Sequence, residues 1–193
     1  MIDRSNHRIP AAEVDSQFVD RWSPRAFEET PLTATQLASL FEAARWAPSC
    51  YNEQPWLFLY AVTAKDRARF AEALVPANHD WASRAPLLMF VLCRRRFGHD
   101  ERENRHAPFD AGAAWMSLAL QARKLGLHAH AMAGFSRQKA YGILEVPEAD
   151  YDIMAAVAVG YRGGAELLPA EVALREVPNE RKATTEVARE GTF

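Results

Sequence analysis

Ala47-Pro48-Ser49-Cys50-Tyr51-Asn52-Glu53-Gln54-Pro55-Trp56 joins a helical pattern to an apolar strand pattern. Upstream, Leu37, Leu40, Phe41 and Ala44 follow the i, i+3, i+4, i+7 spacing of one buried helix face. Thr33 and Gln36 form a capping box, and Leu32 and Leu37 a hydrophobic staple across it. The pattern predicts a helix over 34–45. Pro48 ends it, because the residue before a proline is pushed out of the helical region. Downstream, 57–62 reads as a buried strand. The connection between them carries side-chain amides and hydroxyls, and polar loops held between rigid elements are where binding groups concentrate.

The same reading extends along the chain. A polar helix is expected over 65–74 and a buried strand over 87–93, introduced by Pro86. The charged segment 94–106 reads as an exposed, mobile excursion. A long helix follows over 111–125, with Asp110 as N-cap and Gly126 as left-handed C-cap. Its small-residue start, Ala111-Gly112-Ala113-Ala114, suits close approach of another helix, in the core or between two copies. Strands are expected over 127–132 and 153–159, with a short helix capped by Ser136 between them. Helices alternating with apolar strands give an α/β or α+β class, helices covering a sheet.

The chain has 193 residues, so one domain over 1–193 is expected. A 49% hydrophobic content argues for a packed core. Net charge of −2 offers no broad basic field, so nucleic acid is not an expected partner. The longest aliphatic run, 87–93, is too short to span a membrane. The start, Met1 to Arg8, is charged and lacks the apolar stretch of a signal peptide. Two cysteines, Cys50 and Cys93, fit a reducing compartment. A cytoplasmic protein is the expectation.

Three segments hold candidate binding groups. Arg21, Ser23 and Arg25 alternate, so an extended segment puts them on one side. Two guanidinium groups and a hydroxyl suit a phosphate, or simply a solvated turn. Ser49, Asn52 and Gln54 offer donors and acceptors for the uracil-like edge of a flavin, or tie down their own loop. Gly134, between strand and helix, permits close backbone approach to a ligand, or is a turn glycine. His128 and His130 would share a strand face, with His99, Asp100, Glu101, Glu103 and His106 as further ligands. No closed Cys/His set or HExxH motif supports a metal, and none is expected. GxGxxG and P-loop motifs are also lacking.

Taken together, Arg21-Trp22-Ser23-Pro24-Arg25-Ala26-Phe27, residues 44–56, Asp110-Ala111-Gly112-Ala113, Leu125-Gly126-Leu127, Met132-Ala133-Gly134-Phe135 and Glu176-Val177-Pro178-Asn179-Glu180-Arg181-Lys182 resemble the FMN-dependent nitroreductase family. The likeness spans 21–193. It implies an α+β fold with a central, mostly antiparallel sheet flanked by helices, in an intertwined homodimer. The extension over about 167–193 would lie over the partner subunit. It implies FMN, with Arg21, Ser23 and Arg181 at the phosphate and Arg25 near N1 and O2 of the ring. Asn52 would meet the pyrimidine edge, with Ser49 and Gln54 nearby. Met132, Ala133 and Gly134 would pass beside the ring. NAD(P)H would be the electron donor, and nitroaromatics, quinones or similar electrophiles the acceptors, in ping-pong order, with no catalytic side chain. A specialised enone reductase, dehalogenase or flavin-consuming enzyme, and a non-enzymatic flavin-binding protein, are the alternatives. Two departures from the pattern stand out: Cys50 where small Ser or Ala is frequent, and Arg162-Gly163-Gly164 after Gly160-Tyr161.

Overall fold

A computed structural model describes residues 6–193. Of the Met1 to Arg8 stretch read as lacking a signal peptide, Met1 to Ser5 lie outside the described residues. In chain order the elements are α1 (Ser16–Asp20), α2 (Ala34–Arg45), β1 (Trp56–Ala61), α3 (Ala64–Ala71), α4 (Pro76–Ala82), β2 (Leu87–Arg94), α5 (Ala107–Lys124), β3 (His128–Met132), α6 (Arg137–Leu144), β4 (Tyr151–Gly160), α7 (Ala170–Ala173) and α8 (Thr184–Val187). The sheet order is β1-β2-β4-β3, and every pairing is antiparallel. Helices cover both faces, so the class is α+β, as expected.

β2 decides how the layers form. Its side chains alternate between faces, as the pleat requires. Leu87, Met89, Val91 and Cys93 pack with α2 and α5. Leu88, Phe90 and Leu92 pack with residues of α3, α4 and α6. Both faces are buried, so the strand reads as one apolar run. Burying each such large side chain is worth about 1.5–3 kcal/mol. β4 obeys the same alternation with one interruption. Val91 pairs with Ala155 but Leu92 pairs with Ile153, leaving Met154 as a bulge. That extra residue switches the parity of the strand. Ile153 therefore lies in the same cluster as Ala156, whereas Val157 and Val159 lie in the other.

α2 forms over the expected span. Thr33 Oγ1 accepts from Gln36 N at 3.1 Å, and Gln36 Oε1 accepts from Thr33 N at 2.9 Å. Leu40 and Ala44 are buried, with Leu37 and Phe41 half-buried beside them. The start of α5 differs from expectation. The helix begins at Ala107, with His106 at the N-cap and Pro108 in the first turn. Proline suits that position because its missing N–H has no helical partner there. Asp110 lies inside the helix and is buried. Gly126 has φ +76°, the left-handed cap expected.

Two further differences concern local structure. The polar helix ends at Ala71, and α4 follows with Pro76 in its first turn. Segment 94–106 folds back as a tight hairpin. Phe97 N donates to Arg102 O at 2.9 Å, and Asn104 N to Arg95 O at 2.7 Å. Phe97 and Asn104 are buried, which ties the charged turn down. Among the described residues no helix is long and apolar enough to cross a membrane.

Candidate functional site

The segment after α1 is extended and alternates as its sequence suggests. Trp22, Pro24 and Ala26 are buried, while Arg21, Ser23 and Arg25 lie on the opposite side, half-buried. Four ties fix its course. Glu176 Oε1 accepts from Arg25 N at 2.7 Å and from Ala26 N at 2.9 Å. His130 Nδ1 lies 2.8 Å from Pro24 O, so that nitrogen carries the proton. Gly163 N donates to Ala26 O at 2.9 Å. The Arg162 guanidinium sits 4.9 Å over the Trp22 ring.

Arg21 shares its neighbourhood with two other guanidinium groups. Its Nη1 is 3.5 Å from Ser23 Oγ. Burial pulls its pKa below the ordinary value, and repulsion from Arg181 and Arg8 adds to the effect. Arg8 is lowered likewise, by burial and then by Arg181. Arg8 is anchored through Nε to Asn179 O at 2.6 Å and through Nη1 to Arg21 O at 2.9 Å. Glu180, the neighbour of Arg181 in sequence, offsets part of the repulsion on Arg8 and also pairs with His7 at 2.8 Å. The fold thus holds like charges together, a cost that a bound anion would remove.

The loop after α2 is built differently. Tyr51, Asn52 and Gln54 have φ of 52°, 57° and 50°. Each left-handed residue costs about 1–3 kcal/mol, and for a bulky residue such as Tyr51 it is a true outlier. Ser49 Oγ accepts from Gln54 N at 3.0 Å, and Gln54 Nε2 donates to Asn52 O at 3.0 Å. Ser49 and Gln54 therefore brace the loop itself. Asp110 Oδ2 accepts from Cys50 N at 3.1 Å, tying the loop to the first turn of α5. This tether is the role of Asp110 in place of an N-cap. The Asn52 side-chain amide stands exposed, with no partner among the described residues.

Within one chain these groups stay apart. Trp22 lies against His128, ring centroids 6.0 Å apart, and His128 Nε2 is 3.0 Å from Arg123 Nη1. The arginines therefore sit by the C-terminal end of α5, and the loop by its N-terminal end. Asp110 and Arg123 are separated by roughly 20 Å of helix. Met132 is buried in the core, Ala133 is exposed and Gly134 is half-buried. The Gly134 carbonyl accepts from Val75 N at 3.1 Å and Asn78 Nδ2 at 3.0 Å. A Cβ at Gly134 would lie 2.5 Å from Asn78 Nδ2, so the close approach is to α4.

His128 and His130 take separate partners. The His130 ring lies 4.6 Å from Trp81. Among the described residues no group of three His, Cys, Asp or Glu side chains is placed to hold a metal. Burial lowers His130 to about 4, with Arg25 and Arg21 repelling its charge further. The unfolded chain binds the proton near the ordinary value of about 6.5, before the folded chain does. Stability is therefore full above about pH 6.5 and falls toward pH 4, by up to about 3 kcal/mol from this group. Denaturant titrations at pH 7.0 and 4.5 should show that loss, and His130→Gln should flatten it. An unchanged pH slope in the variant would contradict the assignment.

The sequence model of the nitroreductase family matches residues 19–78 and 73–161. This chain belongs to the nitroreductase family. A solved structure described as an oxidoreductase containing FMN is 41% identical, with a TM-score of 0.92, and the match covers 97% of this chain and 96% of that one. A Stenotrophomonas maltophilia protein named "Putative NADH dehydrogenase/NAD(P)H nitroreductase" is 28% identical over 69% of this chain and 78% of its own length. A nitroreductase family protein from Clostridium novyi NT, 20% identical with a TM-score of 0.67, shares the fold over 80% of this chain and 87% of its own. Two residues of this nitroreductase-family chain have roles that no local pattern signals: Arg8, which precedes the matched motif, and Glu176 in the tail motif, whose partners are 150 and 151 residues away.

Proposed function

We propose that this chain is an FMN-dependent oxidoreductase that takes hydride from NAD(P)H and delivers it to nitroaromatics, quinones or similar electrophiles. The observation that carries the proposal is the cluster of Arg21, Ser23 and Arg181, reinforced by Arg8, in a chain of net charge −2. Repelling guanidinium groups beside a hydroxyl fit a phosphate dianion. The relative that is 41% identical is described as containing FMN, which favours that phosphate ester over others.

In this reading Arg21, Ser23 and Arg181 hold the phosphate. Arg25, on the same face, supplies positive charge where the reduced ring accumulates negative charge. Asn52 meets the pyrimidine edge, and Met132 to Gly134 border the ring. When bound, FMN supplies the hydride-carrying atom, so the side chains position and polarise without attacking substrate. The sequence carries no Rossmann fingerprint for the nicotinamide. Donor and acceptor then use one ring face in turn, which gives ping-pong kinetics.

The separation of the arginines from the Asn52 loop argues for two copies. One copy's loop would complete the site begun by the other's arginines. α5 is suited to that contact: Phe109 is 79% exposed, and open space surrounds Gly112. Residues 175–182 run beside segment 7–26 of the same chain, through Glu176, Asn179 and Glu180. Residues 183–193 are exposed throughout and are the part left to lie across a partner.

The test is direct. Purified protein should be yellow, migrate as a dimer, and bleach anaerobically with NADH or NADPH. Protein that stays colourless after FMN is added would sink the reading.

A further inference from the structure

A cavity lies one residue from Asn52. It has a volume of about 370 Å³, and its lining combines Cys50, Tyr51 and Phe97 with Arg102, Arg105 and His106. Tyr51, Phe97 and His99 form an aromatic group, with ring centroids 5.3–6.3 Å apart. Tyr51 lines it from a left-handed backbone, φ 52°. Strain of that kind persists where surrounding structure enforces it, and it collects at binding sites. The enforcement is visible: Cys50 N is held by Asp110 and Gly98 N by Glu53, at 3.1 and 2.6 Å.

Two arginines share that lining. Arg102 is matched by Asp100 at 2.6 Å. Arg105 is exposed and forms no ion pair among the described residues. His106 caps α5, whose N-terminal end adds positive potential. Among the described residues Glu103 is the one carboxylate lining the cavity, and Asp110 in the first turn of α5 is engaged with Cys50.

The geometry points to a specificity pocket for acceptors that are flat aromatic anions. The ring lies against Tyr51 and Phe97, and the anionic substituent meets Arg105. This rests on reading the Ser49–Gln54 loop as the ring-binding loop. Stacking alone would accept any flat ring, so Arg105 supplies the discrimination by charge.

Two isosteric probes separate these contributions: 4-nitrobenzoate and 4-nitrobenzamide. Calorimetric titration of the oxidised dimer should show the carboxylate binding about tenfold more tightly than the amide. Arg105→Gln should bring the two affinities together, by weakening the carboxylate only. Tyr51→Ala should weaken both probes alike. Equal binding in the unsubstituted protein, binding of neither probe, or a preference that survives Arg105→Gln would overturn the proposal. Selective binding by protein that NAD(P)H does not bleach would support this pocket and sink the proposed activity instead.

Discussion

Arg21→Ala is expected to weaken FMN binding about 100-fold, since losing a charge-assisted hydrogen bond to phosphate costs about 1.5–3 kcal/mol and each 1.4 kcal/mol is tenfold. The effect begins in the flavin-free protein. Arg21 is partly desolvated and repelled by Arg181 and Arg8, which lowers its pKa. Its removal relieves that repulsion. The flavin-free variant should therefore melt at the same temperature as the parent, or slightly higher, while its affinity for flavin falls. Those opposite signs distinguish lost phosphate contact from a general folding defect, which would lower both. Arg21→Lys keeps the charge but loses the planar fork, so its affinity should fall between the two. Flavin-fluorescence titration reads the affinity. Salt gives a second check: binding by the parent should weaken with ionic strength more steeply than binding by Arg21→Ala. Equal affinities for parent and alanine variant would remove Arg21 from the phosphate site.

Local pattern carried much of this far in advance. Thr33 and Gln36 sit three residues apart, so the cap of α2 needs only neighbouring atoms, and it appears where expected. The alternation of Arg21, Ser23 and Arg25 with Trp22, Pro24 and Ala26 is likewise a two-residue period that an extended backbone must obey. What stayed hidden depends on partners distant in sequence. Asp110 resembles a cap because a polar acid precedes a small-residue run, but Pro108 starts the helix earlier and frees the carboxylate for Cys50. The bulge at Met154 leaves no composition signal, since Ile153 and Ala155 are both apolar and only their register differs. Charge density in 94–106 obscured the hairpin, because a single aromatic, Phe97, anchors it. The loop amides divide in a way no spacing rule separates: Ser49 and Gln54 brace the backbone, and Asn52 is left exposed.

Glu176→Ala should produce the second large effect, this time on stability. Glu176 is 5% exposed and receives two main-chain N–H groups through one oxygen. Alanine leaves both donors unmatched, at a cost of about 2–4 kcal/mol. For a domain of this size that lowers the melting temperature by roughly 5–15 °C. Glu176→Gln keeps one carbonyl oxygen for the same donors and should lose less than half as much. The second carboxylate oxygen is buried without a partner among the described residues, so the amide nitrogen of glutamine inherits no hydrogen bond there. The consequence for ligand binding follows from position. Arg25 and Ala26 lie on one side of the clasp, and Asn179 and Arg181 follow Glu176 on the other. Opening it separates Arg21 from Arg181 without removing either charge. Glu176→Ala should therefore lose flavin affinity together with thermal stability, the joint loss that Arg21→Ala lacks. If the alanine variant melts like the parent, the carboxylate does not hold the tail. If it melts lower but binds flavin unchanged, Arg181 reaches the phosphate without help from its own chain, and the extension across the partner becomes its support.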